Sequence, residues 1–366
     1  MDITKSDKNF IVETKIEQEG LKFYDAESEP FKIYGIFREG DKFRRIPEAL
    51  AKEVNDGVAR LHENTAGGRV RFKTDSRFVA IKAELGDICR FSHMPLTGSS
   101  GFDMYEKVDG KHIYRRTFIP PYDMETGYEQ ICYFKDVNDY CESRDRKMRE
   151  LTINFPLYNN VKKLYIGIDE NASLLPADEY KIAKPVVYYG SSITQGGCAS
   201  KPGSCYQAIL SQNLDINYIN LGFSGSARGE DNIVDYMANL DMSAFVLDYD
   251  HNAPTLEHLE ATHEKAFKTI RAKNPDLPII ILPAPGYAHF QNEPMWDNWL
   301  TREGIVKKTY DNAIASGDKN VYFISANELM ALVGYNGTVD NCHPTDSGFL
   351  SMATAIEPVL KKILKL

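Results

Sequence analysis

The chain has 366 residues, enough for two domains of ordinary size, and its 43% hydrophobic and 26% charged content is that of a soluble globular protein. A net charge of −9 argues against nucleic acid or an anionic membrane as the main partner. Met1 to Lys8 hold no apolar run of signal-peptide length, and the longest apolar stretch, Leu277 to Ala284, is interrupted by prolines and far too short to span a bilayer. A cytoplasmic protein is the expectation. The six cysteines (89, 132, 141, 198, 205 and 342) lack metal-ligand spacing and are expected as reduced thiols.

Residues 1 to about 180 read as β-rich. Phe31–Phe37, Arg69–Lys73 and Phe78–Lys82 show alternation or β-branched enrichment between turn residues. Asp109-Gly110, between Phe102–Val108 and Lys111–Phe118, predicts a hairpin. Leu151–Phe155 and Lys162–Ile168, joined through Tyr158-Asn159-Asn160, predict a further strand pair, and Pro47–Leu61 a short helix. Short strands at this spacing imply a β-sandwich. Around Asn171–Lys184 the character changes to strand, loop and helix in alternation. The strands are Val186–Tyr189, Ile216–Leu221, Ala244–Tyr249, Ile279–Leu282 and Val321–Ile324. Helices are expected over roughly 204–213, 230–239, 256–273, 300–316 and 347–364. This alternation implies an α/β fold, a mostly parallel sheet with helices on both faces. The domains are therefore expected at 1–180 and 181–366. The short connection carries Leu174, Leu175 and Ile182 instead of Gly and Ser, so a sizeable interface between them is expected.

The chemistry-bearing residues follow the predicted strands. Val186-Val187-Tyr188-Tyr189 runs into Gly190-Ser191-Ser192-Ile193-Thr194, which places Ser192 at the C-terminal edge of the sheet, where such sheets bind ligands. A serine is a poor nucleophile until a base takes its proton. His343 is the candidate base, and Asp340, three residues earlier, can fix its tautomer. Gly225 lets a backbone N–H approach a ligand closely, and the Asn252 amide is a candidate oxyanion donor. His251 is the rival base or a pocket wall. Asp248 and Asp250 are expected to cap turns, and His258, His263 and His289 to lie at the surface. Cys198 and Cys342 read as small packing residues. Gly196-Gly197-Cys198-Ala199-Ser200 lacks the lysine of a phosphate loop. Tyr287, His289, Phe290, Trp296 and Trp299 supply either an aromatic wall suited to sugar rings or packing for a helix start.

Gly190 to Thr194, Gly225, Asn252 and Asp340-Asn341-Cys342-His343-Pro344 stand in the order and spacing of the SGNH (GDSL-type) hydrolases, which the second half of the chain resembles. Arg44-Arg45-Ile46-Pro47, Thr65-Ala66-Gly67-Gly68-Arg69 and Gly101-Phe102-Asp103-Met104-Tyr105 resemble the jelly-roll-like β-sandwich that precedes one subgroup of them. That subgroup carries Gly-Ser-Ser-Ile-Thr, as here. Ser191 departs from the superfamily's usual aspartate, and Asp250-His251-Asn252 from its usual Gly-x-Asn-Asp. The resemblance implies a flavodoxin-like hydrolase domain and a serine esterase without metal or organic cofactor. Its catalytic residues would be Ser192, His343 and Asp340, and its oxyanion hole Ser192, Gly225 and Asn252.

Relatives of this layout often deacetylate carbohydrates, so the implied substrate is a small-molecule or oligosaccharide acetyl ester, with His251, Tyr287, His289 and Trp296 expected to line its site. The segments expected around Ser192 have no run of Leu, Ile or Val, which also suits a short acyl group. A thioesterase or lysophospholipase-type acylhydrolase is the alternative, and an inactive glycan-binding protein a further one. The oligomeric state, homo-oligomer or monomer, stays open.

Overall fold

The computed structural model describes residues 12, 15–134, 146–285 and 294–366, with the side chains of 294–297 and 335 outside the description. The first half runs β1 (Leu21–Asp25), β2 (Lys32–Tyr34), β3 (Phe37–Glu39), β4 (Lys42–Arg44), α1 (Glu48–Val54), α2 (Asp56–Leu61), β5 (Arg69–Thr74) and β6 (Phe78–Leu85). It continues through α3 (Leu96–Ser99), β7 (Phe102–Val108), β8 (Lys111–Phe118), β9 (Gly127–Tyr133), β10 (Arg149–Asn154), β11 (Val161–Asp169) and β12 (Leu174–Leu175). β3 and β4 form a two-stranded sheet of their own, and two larger antiparallel sheets result, β1-β11-β6-β9 and β12-β5-β10-β7-β8, with β2 also on β5. Inward residues of both, among them Phe72, Ile81, Met104, Ile153 and Ile166, fill the space between them. Asp109 and Gly110 both take positive φ (50° and 76°), as a two-residue hairpin turn needs, and Val108 faces Lys111.

Three expectations need correction. Leu151–Phe155 and Lys162–Ile168 do not pair: β10 lies between β5 and β7, and β11 between β1 and β6. Pro156 cannot extend the ladder, and the chain from Phe155 to Asn159 is buried as it crosses from one sheet to the other. Pro47–Leu61 is two helices, because Asn55 is extended and its side chain accepts the Val58 N–H (2.9 Å), capping α2. Phe31–Phe37 divides into β2 and β3 at Gly35. β1, β9 and β12 went unread. In β9 the buried set is Tyr128, Gln130 and Cys132, too polar to stand out as an inward face.

The second half runs β13 (Ile182–Gly190), α4 (Ser192–Gln195), α5 (Tyr206–Leu214), β14 (Ile216–Gly222), α6 (Asp231–Ala238) and β15 (Ala244–Asp248). After these come α7 (Leu256–Lys273), β16 (Ile279–Ile281), α8 (Pro294–Ala315), β17 (Val321–Phe323), α9 (Ala326–Leu329) and α10 (Asp346–Leu364). The strands are parallel in the order β14-β13-β15-β16-β17, the doubly wound flavodoxin-like arrangement. Residues of α6, α7 and α8 (Met237, Phe267, Val306) pack on one face, and those of α5 and α10 (Leu210, Ile356) on the other. With both faces covered, Val186–Tyr189 and Ala244–Leu247 are fully buried, hence their unbroken apolar character. Among the described residues no helix is long and apolar enough to cross a membrane.

β14 is an edge strand, and an open edge leaves a row of unpaired carbonyls. Here two arginines of the first half cover alternate carbonyls. Arg69 Nη1 donates to Tyr218 O (3.1 Å), and Arg45 Nη1 donates to Asn220 O (3.3 Å) and to Gly222 O. Both side chains are buried, Arg69 with its guanidinium 3.9 Å from the Tyr218 ring and Arg45 4.5 Å from that of Phe223. Burial lowers Arg45 only to about 9, so it stays charged at neutral pH. Nearby, Asp103 accepts the Gly203 N–H (2.7 Å) and the Asn154 amide (2.8 Å). The three motifs that carried the sandwich resemblance thus supply the contacts that join sandwich to parallel sheet.

Arg45→Met would strip that donor from the carbonyls of Asn220, Gly222 and Leu61. A loss of about 3 kcal/mol is expected in urea unfolding, and one below about 1 kcal/mol would contradict the role. Asp103 gives a pH test. Burial, opposed by Asn154, the Gly203 amide and Lys201, raises it to about 6. The unfolded chain releases that proton near pH 3.9, so between about pH 4 and 6 the native state holds a proton the unfolded state has lost, and stability falls as pH rises. Wild type should therefore gain stability over Asp103→Asn as pH drops from about 7 to 5. A pH-independent difference in urea midpoints would refute it.

Candidate active site

β13 ends at Gly190, where a Cβ would meet Asp248 O and Thr194 Oγ1 at 2.1 Å, so only glycine lets the chain turn this close to β15. Ser191 then caps the one-turn helix α4: its Oγ accepts the Ile193 N–H (3.1 Å). Serine is among the favoured N-cap residues. Ser192 is the first residue of α4, beyond the C-terminal edge of the sheet. Beneath it, Asp248 Oδ2 accepts from Thr194 Oγ1 (2.9 Å) and Tyr206 OH (3.0 Å), tying the turn to β15 and α5. Burial, and after it the charge of Asp250, raises Asp248 well above the usual carboxylate range.

The loop before α10 brings His343 to this turn. His343 Nε2 lies 2.9 Å from Ser192 Oγ, and Nδ1 lies 2.7 Å from Asp340 Oδ2. Asp340 Oδ1 accepts the backbone N–H groups of His343 (2.7 Å) and Cys342 (3.1 Å). Asn341, at φ 65°, takes the left-handed conformation that asparagine tolerates and so closes this turn. Burial alone would raise Asp340, but the His343 amide and ring and the Cys342 amide outweigh it and hold the carboxyl below its ordinary range. An ionised Asp340 keeps a proton on Nδ1, which leaves Nε2 free to accept one from Ser192.

Gly225 sits in the turn after β14 at φ 67°, where a Cβ would meet nothing within 4 Å, so the backbone angle is what calls for glycine. That turn is fastened beside α4: Phe223 N–H donates to Gly190 O (2.9 Å) and Ser224 N–H to Gln195 Oε1 (3.0 Å). Asn252 follows β15 and donates one amide hydrogen to Phe223 O (2.9 Å), leaving its second available. Among the described residues, the N–H groups of Ser192 and Gly225 have no acceptor.

His251 makes other contacts. Its Nε2 lies 2.9 Å from Cys342 Sγ, and its ring packs edge-on to Trp299 at 5.2 Å. Burial, then the charges of His343 and Arg302, lower it to about 4 and keep it neutral. Asp250 holds the same turn: its Oδ2 accepts the Ala284 N–H (3.0 Å), and its carbonyl accepts from Arg302 (2.6 Å). His263, expected at the surface, is fully buried, stacked on Tyr249 and hydrogen-bonded to Thr309 Oγ1 (2.8 Å), because its face of α7 packs on α8. His258 is half-buried against the Arg228 carbonyl (2.8 Å). Tyr287, His289 and Phe290 lie outside the described residues, as does the side chain of Trp296. Among the described residues the five cysteines form no disulfide. Burial, then the charge of Asp340, pushes both Cys198 and Cys342 up to about 12, so neither is an activated thiol.

The connection from β6 to α3 also reaches the site. His93, in the connection from β6 to α3, puts Nε2 3.8 Å from Asp340 Oδ2 and its ring 5.7 Å from that of His343. Phe91 packs edge-on to His93 (6.2 Å) and to Tyr158 (5.2 Å), whose hydroxyl donates to Ser192 O (3.3 Å). Nothing in Cys89 to Pro95 marks this approach, since it depends on how the sandwich docks and not on local pattern.

Residues 183–361 match the GDSL-like lipase/acylhydrolase family, and residues 21–174 match the N-terminus of SGNH-hydrolase-type esterases. The chain belongs to the SGNH (GDSL-type) esterases. It is thus a carboxylic ester hydrolase by family. A protein described as a GDSL-like lipase from Bacteroides ovatus is similar in structure, at 28% identity and TM-score 0.83 over 94% of this chain and 98% of that one. The salicylyl-acyltransferase SsfX3 of a tetracycline biosynthetic pathway shares the fold at 17% identity and TM-score 0.73, covering 96% and 99%. So does an acetyl xylan esterase from Butyrivibrio proteoclasticus, at 13% identity and TM-score 0.55, covering 94% and 99%. No curated protein gives a significant match.

The geometry separates the two histidines. Ser192→Ala and His343→Ala should each lose ester hydrolysis by several orders of magnitude, about 10⁶ in kcat for the serine, with the fold intact. His251→Asn should keep at least about a tenth of wild-type kcat, since removing a general base costs 10² or more. Steady-state rates on p-nitrophenyl acetate decide it, and equal losses at both histidines would contradict the assignment.

Proposed function

We propose that this SGNH esterase hydrolyses short-chain O-esters, acetyl above all, on carbohydrates through an acyl-enzyme on Ser192. The observation that carries the reading is the unbroken relay Asp340–His343–Ser192, with links of 2.7 and 2.9 Å. Ser192 Oγ attacks the ester carbonyl carbon while His343 Nε2 takes its proton and Asp340 steadies the imidazolium. The oxyanion accepts hydrogen bonds from the Ser192 and Gly225 N–H groups and from the free amide hydrogen of Asn252. Collapse expels the alcohol, which takes the proton from His343. Water, with His343 again as base, then releases the acid and restores Ser192.

The substrate class rests on the rim. Phe91, His93, Ser224, Gly225 and His251 are small, polar or aromatic, and an extended acyl chain would find no aliphatic groove along them. Aromatic faces with polar groups between them suit a ring-shaped, hydroxyl-rich alcohol. The shared fold of the acetyl xylan esterase agrees with this choice. We also take residues 1–180 and 181–366 as two domains that work as one body, with Phe91 and His93 as the sandwich's share of the site.

Across p-nitrophenyl esters of two to twelve carbons, kcat/KM should be greatest for acetate, and acetylated sugars should be better substrates than simple alkyl acetates. A maximum at eight carbons or more would point to a lipase or thioesterase. Asn252→Ala should lower kcat by roughly 10²–10³ with KM little changed. A rise in KM alone would move Asn252 to substrate binding.

A further inference from the structure

Ligand-type atoms of His93, Cys198 and His343 lie within 4.8 Å of one another. They come from three separate stretches: the β6–α3 connection, the loop after α4, and the loop before α10. Two imidazoles and a thiol are the donor set of a borderline-soft divalent ion such as Zn²⁺. Tetrahedral Zn–N and Zn–S bonds place such donors about 3.3–3.6 Å apart, so side-chain adjustments of an ångström or so would close the cage. The relay explains His343 but not the other two. Among the described residues neither the His93 ring nor the Cys198 thiol has a hydrogen-bond partner, and the nearest charge to His93 is Asp340 Oδ2 at 3.8 Å.

The Asp340–His343 pair strengthens the case. A carboxylate on one ring nitrogen fixes the tautomer and raises the basicity of the other, which makes a good base and equally a good metal ligand. With Nδ1 held by Asp340 (2.7 Å), Nε2 is the nitrogen open to an ion, and Ser192 Oγ, 2.9 Å away, stands where a fourth ligand would bind. His93 is 43% exposed, which gives an ion a way in, while Cys198 is buried at the far side. The second cluster on this ring, Asp340 with Cys342, is weaker, since both Asp340 oxygens are already engaged within the turn.

We propose that His93, Cys198 and His343 form a binding site for Zn²⁺-like ions that reversibly inhibits the enzyme by occupying its proposed general base. Binding removes the proton of Cys198 to solvent and replaces the Ser192–His343 hydrogen bond. The inhibitory part of this claim rests on the esterase reading above; the binding part does not.

The test uses the full chain with Zn²⁺ and Co²⁺ salts. Zn²⁺ should inhibit p-nitrophenyl acetate hydrolysis, and a chelator should restore it. Co²⁺ should give a thiolate charge-transfer band in the near ultraviolet on wild type and on Ser192→Ala. Cys198→Ala should lose the band and raise the inhibitory Zn²⁺ concentration about tenfold or more, with metal-free turnover unchanged. His93→Ala, at a side chain that is 43% exposed, should weaken Co²⁺ binding by a similar factor. A band that persists in Cys198→Ala, or inhibition equal in all variants, would overturn the site. The Co²⁺ band on a chain that hydrolyses no ester would uphold the site while retiring the esterase mechanism.

Discussion

The edge of the parallel sheet at β14 is where the molecule is joined. A buried strand edge with free carbonyls would be costly, and the guanidinium groups of Arg45 and Arg69 supply the donors that a neighbouring strand would. Those arginines stem from the sandwich, so satisfying the edge also fixes how the sandwich lies against the hydrolase sheet. The docking in turn carries the β6–α3 connection to the mouth of the site, where His93 meets Asp340 and His343. Backbone hydrogen-bond demand at this strand thus helps set how the sandwich meets the site, together with contacts such as Thr97 Oγ1 donating to Ser200 O (2.6 Å).

Within the site, buried carboxylates hold the turns that carry Ser192 and Asn252. Asp248 fastens the turn that presents Ser192, and Asp250 fastens the turn that presents Asn252. Burial raises both above their ordinary values, Asp250 to about 6, with the Ala284 amide and Arg302 opposing the shift. Asp340 is the contrast. It is partly exposed and takes its hydrogen bonds from its own loop and from the His343 ring, and it is held as a carboxylate. These acids thus divide into two that brace turns and one that holds the His343 ring, and environment separates them.

Much of the second half was legible because a parallel sheet buried on both faces writes itself as unbroken apolar runs, as at Val186–Tyr189 and Ala244–Leu247. The strand ends then pointed to Ser192, Gly225 and Asn252, and the start of the last helix to His343, whose Nε2 lies 2.9 Å from Ser192 Oγ. The sandwich was harder to read. Its pairing partners depend on crossings such as Phe155–Asn159 that local pattern does not encode, and β9 buries Gln130 among its inward residues. His93 and the burial of His263 were illegible for the same reason: each is set by which face of a neighbouring element packs against it. The motifs around Arg45, Arg69 and Asp103 were legible as a resemblance, but only contact distances reveal them as the fastenings of the two halves.

The proposed mechanism turns on Ser192 carrying the acyl group between the two half-reactions. Rapid acid quench of the enzyme during turnover of p-nitrophenyl acetate, followed by peptide mass spectrometry, tests it directly. The mass of one acetyl group is expected on Ser192, rising with the burst of p-nitrophenol and absent once substrate is exhausted. An acetyl group found on another side chain, or turnover with no acylated peptide under conditions where deacylation is slow, would contradict it.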